Sequence, residues 1–312
     1  MKRIIFVLYF INLNQMTVKA QPENIQSQPV DAGVTGTLPS VPGPIGVFDS
    51  GYGGLTILNE IRRLLPQYDY MYLGDNARAP YGNRSFELVY KFTLQSVKAL
   101  FERGCHLVIL ACNTASAKAL RSIQQRDLPG IDPSRRVLGI IRPTVESLPS
   151  LTLTGHVGLV GTRGTIASQS YEMETAKLYP EFKITGHACP MWVPLVENSE
   201  STSPGADYFI KKEIDALMEA DGDIDTMILG CTHYPLLLDK IKLYAPDNVK
   251  IVSQGIIVAE SLKDYLARHP EMDELCSRRG QVTFLTTESA DRFASMASVF
   301  LDTELTASHI DL

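Results

Sequence analysis

Residues 108–120 read VILACNTASAKAL, and residues 227–238 read MILGCTHYPLLL. In each, an apolar run ends in a small residue and a cysteine, and polar residues then open a helical pattern. A short continuous apolar run followed by a helix is how a buried strand of a parallel α/β sheet reads. That setting occurs twice, at Cys112 and Cys231, and it organises the rest of the chain.

Outward from the first stretch, PIGVFDSGYGG (44–54) is a strand and a glycine-rich turn. Leu55, Leu58, Ile61, Leu64 and Leu65 then recur at helical spacing until Pro66 ends the pattern. YDYMYLGDN (68–76) is a second strand. SFELVYKFTLQSVKALFERG (85–104) is a helix with Ser85 as N-cap and Gly104 as C-cap. After the strand at Cys112, ASAKALRSIQQRD (115–127) is expected as one helix and RVLGII (136–141) as a fourth strand.

A second half begins near Pro143. HVGLVGTRGTIASQSYEMETAKLY (156–179) repeats the opening design of strand, glycine turn and helix. FKITGHAC (182–189), the helix ADYFIKKEIDALMEA (206–220), the strand IDTMILGCTH (224–233) and the helix YPLLLDKIKLY (234–244) follow. The similar offsets between matching segments predict two related α/β halves facing each other. VKIVSQGIIVAESLKDYLARH (249–269) and GQVTFLTTES (280–289) are expected to pack back on the first half. The predicted division is 44–140 plus about 250–312 for one α/β domain and 141–249 for the other.

The 312 residues are 45% hydrophobic and 21% charged, as in a globular domain pair, and the net charge of -6 argues against non-specific nucleic-acid binding. After the first residues, no apolar run approaches the roughly 20 residues of a membrane span. MKRIIFVLYFINLNQMTVKA (1–20) resembles a secretory leader, with Lys2 and Arg3 before an apolar stretch; a misassigned start is the rival reading. Residues 21–43 read as a disordered linker, so 1–43 are set apart as a leader and extension. The five cysteines are widely spaced, with no C-x-x-C, which fits neither a disulfide framework nor a zinc site. Reduced thiols favour the cytoplasm; the leader makes export the alternative.

A strand end is where ligands bind in open α/β sheets, and a thiol at a helix N-terminus is expected to have a lowered pKa. One such cysteine is more often a core residue. Two in mirrored settings point to chemistry, whereas Cys105, Cys189 and Cys276 are read as structural. Two thiols facing each other across a cleft suit stereoinversion: one thiolate removes a proton from carbon and the other thiol returns one to the opposite face. This needs no metal and no cofactor, only donors around the carbanion formed beside a carboxylate.

GVFDSGYGGLTIL, YLGDNARAPYG, ILACNTASA, VGLVGTRGTI with SQSY beyond it, LVE and LGCTHYPLL together resemble the glutamate racemases of the aspartate/glutamate racemase superfamily, over about residues 44–270. The resemblance implies two pseudo-symmetric, flavodoxin-like, three-layer α/β domains with parallel sheets and an active site in the interdomain cleft. It implies interconversion of L- and D-glutamate without a cofactor, supplying D-glutamate for peptidoglycan. It further implies that Cys112 deprotonates the D-isomer and Cys231 the L-isomer, with Asp49 and His233 tuning the thiols on their respective sides. The implied substrate contacts are Asp49, Ser50, Tyr81, Gly82, Asn113, Thr114, Thr232 and His233. A homodimer is the assembly the family often adopts.

Each residue also has a plainer reading. Asp49 and Ser50 serve a turn, Tyr81-Gly82 a loop, Asn113, Thr114 and Thr232 helix caps, and His233 a satisfied loop position. Glu197 and Thr162 stand open between substrate contact and loop structure, and Arg142 between the domain junction and chemistry. Three rival functions remain: a racemase for aspartate or another carboxylate, a Cys/His hydrolase using Cys231, and an exported two-lobed binding protein.

Overall fold

The computed structural model describes residues 41–301 and 303–312. The expected leader, and the linker up to residue 40, lie outside the described residues. Pairing starts at Gly43, which bridges Cys276.

The first run of alternation is β1 (Ile45–Asp49), α1 (Leu55–Leu64), β2 (Tyr70–Gly74), α2 (Phe86–Glu102) and β3 (Leu107–Leu110). The single helix expected after β3 is broken into α3 (Asn113–Lys118), α4 (Leu120–Ser122), a π turn (Ile123–Asp127) and α5 (Leu128–Ile131). Pro129 has no N–H for the helical ladder, and the wider turn falls just before it. Then come β4 (Arg136–Gly139) and α6 (Ile141–Glu146).

The second run is β5 (His156–Gly161), α7 (Arg163–Ala167), α8 (Ser170–Leu178), β6 (Lys183–Ala188), α9 (Trp192–Glu197), α10 (Pro204–Ala220) and β7 (Thr226–Gly230). A 3₁₀ turn over Tyr234–Leu237 precedes α11 (Leu238–Tyr244) and β8 (Lys250–Val252). The chain closes with α12 (Gly255–Arg268), α13 (Pro270–Asp273), β9 (Val282–Thr286), α14 (Ala290–Leu301) and β10 (Ser308–His309).

These strands form two sheets, ordered β10-β9-β2-β1-β3-β4 and β6-β5-β7-β8, with every pairing parallel. Counted within its own run, each sheet contains the order second-first-third-fourth, which is the doubly wound arrangement. Cys112 follows the third strand of one sheet and Cys231 the third strand of the other. The division expected near residue 250 falls on β8, which pairs with β7, so the chain leaves the second sheet only after Val252. It then returns to the first: α12 and α14 pack on α1, and β9 pairs with β2.

The central strands β1, β3 and β7 are apolar on both faces because both faces are covered, and each is buried along its whole length. Leu55, Ile57, Leu58 and Ile61 form the buried stripe of α1, each stabilising the fold by about 1.5–3 kcal/mol through burial. The Ser85 hydroxyl accepts from Leu88 N at 3.3 Å to start α2, and Gly104, at φ +91°, turns the chain out of it.

Candidate active site

Strand order reverses between β1 and β3 and between β5 and β7, so both crevices open at the carboxyl ends of those strands. The residues that follow the four strands line one cleft of about 90 Å³: Ser50 after β1, Cys112, Asn113 and Thr114 after β3, Thr162 after β5, and Cys231, Thr232 and His233 after β7. Tyr81, Gly82 and Glu197 are also in the wall. Asp49 is buried just behind it. Of the twenty residues around this cleft, Cys112 and Cys231 come from opposite sheets.

Cys112 is itself the cap of α3: its sulfur accepts from Ala115 N at 3.4 Å. Asn113 and Thr114 therefore lie inside the helix rather than capping it. The Ser50 hydroxyl also meets Cys112 Sγ, at 3.4 Å. Burial, with the nearby Asp49 charge, pushes the Cys112 thiol up to about 12, against the lowering effect of these two hydrogen bonds. The expected lowering by the helix terminus is thus overturned by burial. One N–H from a six-residue helix does not offset the loss of water.

On the opposite side, His233 Nδ1 lies 4.0 Å from Cys231 Sγ and its Nε2 lies 3.0 Å from Glu197 Oε1. Burial opposes a charge on His233, yet its bonds to Cys231 and Glu197 raise it to about 10. The imidazole can therefore stay protonated beside the sulfur, where it stabilises negative charge as that charge forms. Glu197, left open by sequence, becomes the partner of the ring.

Asp49 reaches across rather than along its own side. Its Oδ1 accepts from Gly51 N at 2.8 Å, which is the turn role, and its Oδ2 accepts from Thr232 Oγ1 at 3.4 Å. It makes no hydrogen bond to Cys112; burial raises its pKa, with the His233 charge working against that. The approach of the two halves here demands glycine: a Cβ on Gly53 would collide with Thr232 Oγ1 and His233 Nδ1.

The Tyr81 hydroxyl is spent on Asp75 Oδ2, and Gly82 O accepts from Gly164 N at 2.8 Å. The Tyr81 hydroxyl is thus not free for a ligand. Thr114 Oγ1 meets Thr162 Oγ1 at 2.9 Å and Thr165 Oγ1 at 3.4 Å, a hydroxyl cluster joining the ends of β3 and β5. Thr162 also caps α7, accepting from Thr165 N at 3.2 Å. Arg142 is outside the cleft, pairing with Glu146 and Glu174 at 2.8 and 2.7 Å and so linking α6 to α8.

Residues 50–262 match the family model described as Asp/Glu/Hydantoin racemase. The chain belongs to this racemase family. It is 39% identical over 272 residues to the glutamate racemase of Ruegeria sp. (strain TM1040), covering 84% of this chain and 98% of the relative. It is 38% identical to that of Streptococcus gordonii over 276 residues, covering 86% and 98%. The crystal structure of glutamate racemase isoform RacE1 from Bacillus anthracis superposes with a TM-score of 0.78 at 35% identity, covering 86% of this chain and 97% of that one. The Francisella tularensis glutamate racemase, solved in complex with D-glutamate, gives 0.76 at 30% identity, covering 86% and 97%. The chain is accordingly an isomerase of the racemase family.

Within this racemase cleft, one lining residue was assigned by sequence to the core alone. Cys189 borders the cleft and follows directly on β6, the same strand-end setting as Cys112 and Cys231. Its setting was a signal that the surrounding residue types concealed. Burial pushes its thiol well above the ordinary range, as it pushes Cys105 and Cys276 up to about 12. Cys105 and Cys276 lie in the core, away from the cleft.

Proposed function

We propose that this racemase interconverts L- and D-glutamate by a two-base, cofactor-independent route in which Cys112 and Cys231 stand on opposite faces of the substrate Cα. The observation that carries this reading is the mirrored placement of the two thiols, one after the third strand of each sheet, on the wall of a single cleft. The family membership and the glutamate racemase names of the relatives favour glutamate as the substrate.

In this reading one sulfur, as thiolate, takes the Cα proton. The electron pair left behind delocalises into the adjacent carboxylate, and the other sulfur, as thiol, delivers a proton to the opposite face. Cys112, held up to about 12 by burial, stands ready as the proton donor. Its anion becomes accessible when the substrate ammonium enters the buried site and supplies the missing positive charge. On the other face, protonated His233 balances the charge on Cys231, and Glu197 holds the ring. The Asn113 amide, the Thr114 hydroxyl and the main chain of Gly82 stand in the cleft wall to receive the carboxylates. D-glutamate made in this way would feed peptidoglycan synthesis.

Incubation of either isomer in deuterated water tests the reading. The expected result is convergence on the racemate with deuterium entering at Cα. Inertness toward both glutamates, with turnover of aspartate, would move the assignment to another dicarboxylate.

A further inference from the structure

Behind Cys112 lies a closed polar network of which the proposed reaction uses Asn113 alone. Tyr171 OH donates to Asn113 Oδ1 at 2.6 Å, and Asn113 Nδ2 donates to Gln254 Oε1 at 2.7 Å. Gln254 Nε2 donates to Tyr171 OH at 2.7 Å and to Thr144 Oγ1 at 2.8 Å. Thr144 Oγ1 donates to Ile140 O at 2.7 Å. Asn113, Thr144, Tyr171 and Gln254 are 2%, 0%, 0% and 3% exposed, so water does not substitute for a missing partner.

Counting donors fixes the direction of every bond. The single Thr144 O–H is committed to a backbone carbonyl, so Thr144 must accept from Gln254, and the Gln254 amide cannot flip. Its oxygen then faces Asn113 Nδ2, which leaves Asn113 Oδ1 turned to the Tyr171 hydroxyl. Gln254 spends both N–H groups and Tyr171 both its donor and an acceptor site. Asn113 alone retains an unspent N–H, and Asn113 alone of the four lines the cleft.

The residues also come from the places where the two sheets are joined. Thr144 is in α6, after β4; Gln254 stands between β8 and α12; Tyr171 is in α8 of the second half. We infer that Gln254, Tyr171 and Thr144 are positioning residues for the racemisation: anchored at Ile140 O, they lock the Asn113 amide so that its free N–H, and not its oxygen, meets the substrate carboxylate beside Cys112. This rests on the two-thiol reading above.

A double-mutant cycle on the full chain tests it. Tyr171→Phe removes only the hydroxyl that holds Asn113 Oδ1, and kcat/KM for both glutamates is expected to fall about tenfold, the scale of one oriented hydrogen bond. In an Asn113→Ala background the same change is expected to have little further effect. Gln254→Glu supplies a second measurement: ionised, it loses the donors, and protonated it regains one, so its deficit should narrow as pH falls. Should Tyr171→Phe fail to fold, the cycle is run with Gln254→Glu instead. Equal losses in both backgrounds, or a Gln254→Glu deficit that ignores pH, overturn the inference while the racemase reading stands. A wild-type protein inert toward both glutamates overturns the reading itself and the inference with it.

Discussion

His233 bridges two groups of unlike chemistry: its Nε2 lies 3.0 Å from Glu197 Oε1 and its Nδ1 faces Cys231 Sγ at 4.0 Å. The carboxylate favours the imidazolium, so removing it lowers the pKa of the ring. Glu197→Gln should therefore bring forward the alkaline loss of kcat/KM, with a fall at neutral pH of about 10- to 100-fold. A pH–rate profile that moves in neither direction would remove Glu197 from the relay.

The same pair links pH to stability. His233 is raised from 6.5 to about 10, so its charged form is favoured by the fold. That contribution is complete below the ordinary value and disappears as pH rises through about 10. Thermal unfolding followed from pH 7 to pH 10 should show a falling midpoint, and the fall should be shallower in Glu197→Gln.

Replacing either thiol base tests the two-sided chemistry. Cys112→Ser and Cys231→Ser should each lower turnover by at least about 10²- to 10⁴-fold, the usual worth of a positioned acid or base. Mirror-image isomers have an equilibrium constant of unity, so each variant must lose kcat/KM equally in the two directions. Polarimetry from both pure isomers measures this, and full activity in either variant would sink the two-base reading.

Close approach of the halves is tested at Gly53. A methyl group there meets Thr232 Oγ1 and His233 Nδ1, neither of which lies at the end of a flexible chain. Gly53→Ala should lower unfolding free energy by about 1–3 kcal/mol, the range for overpacking, and should impair activity through His233. Urea unfolding alongside steady-state kinetics reads both effects.

Much of this architecture is written locally. Apolar runs, the helical stripe Leu55, Leu58 and Ile61, and the Ser85 and Gly104 signals each depend on neighbours a few residues away. The two strand-end cysteines were legible for the same reason. The π turn over Ile123–Asp127 was not, although Pro129 follows it, because the helical pattern of LRSIQQ continues into the wider turn. Cys189 was set aside because its flanking residues differ, while its place after β6 is a matter of topology.

Sequence by itself determined the alternating α/β order, the parallel class of the sheets and the two thiols, since backbone periodicity and turn chemistry are properties of adjacent residues. Tertiary structure alone decided the partners. Asp49 meets Thr232, Glu197 meets His233, and Gln254 meets Asn113 only when segments far apart in the chain are packed together. It also decided protonation: the helix terminus predicts a lowered Cys112 thiol, but burial between two sheets raises it, because desolvation of a charge outweighs a single N–H donor.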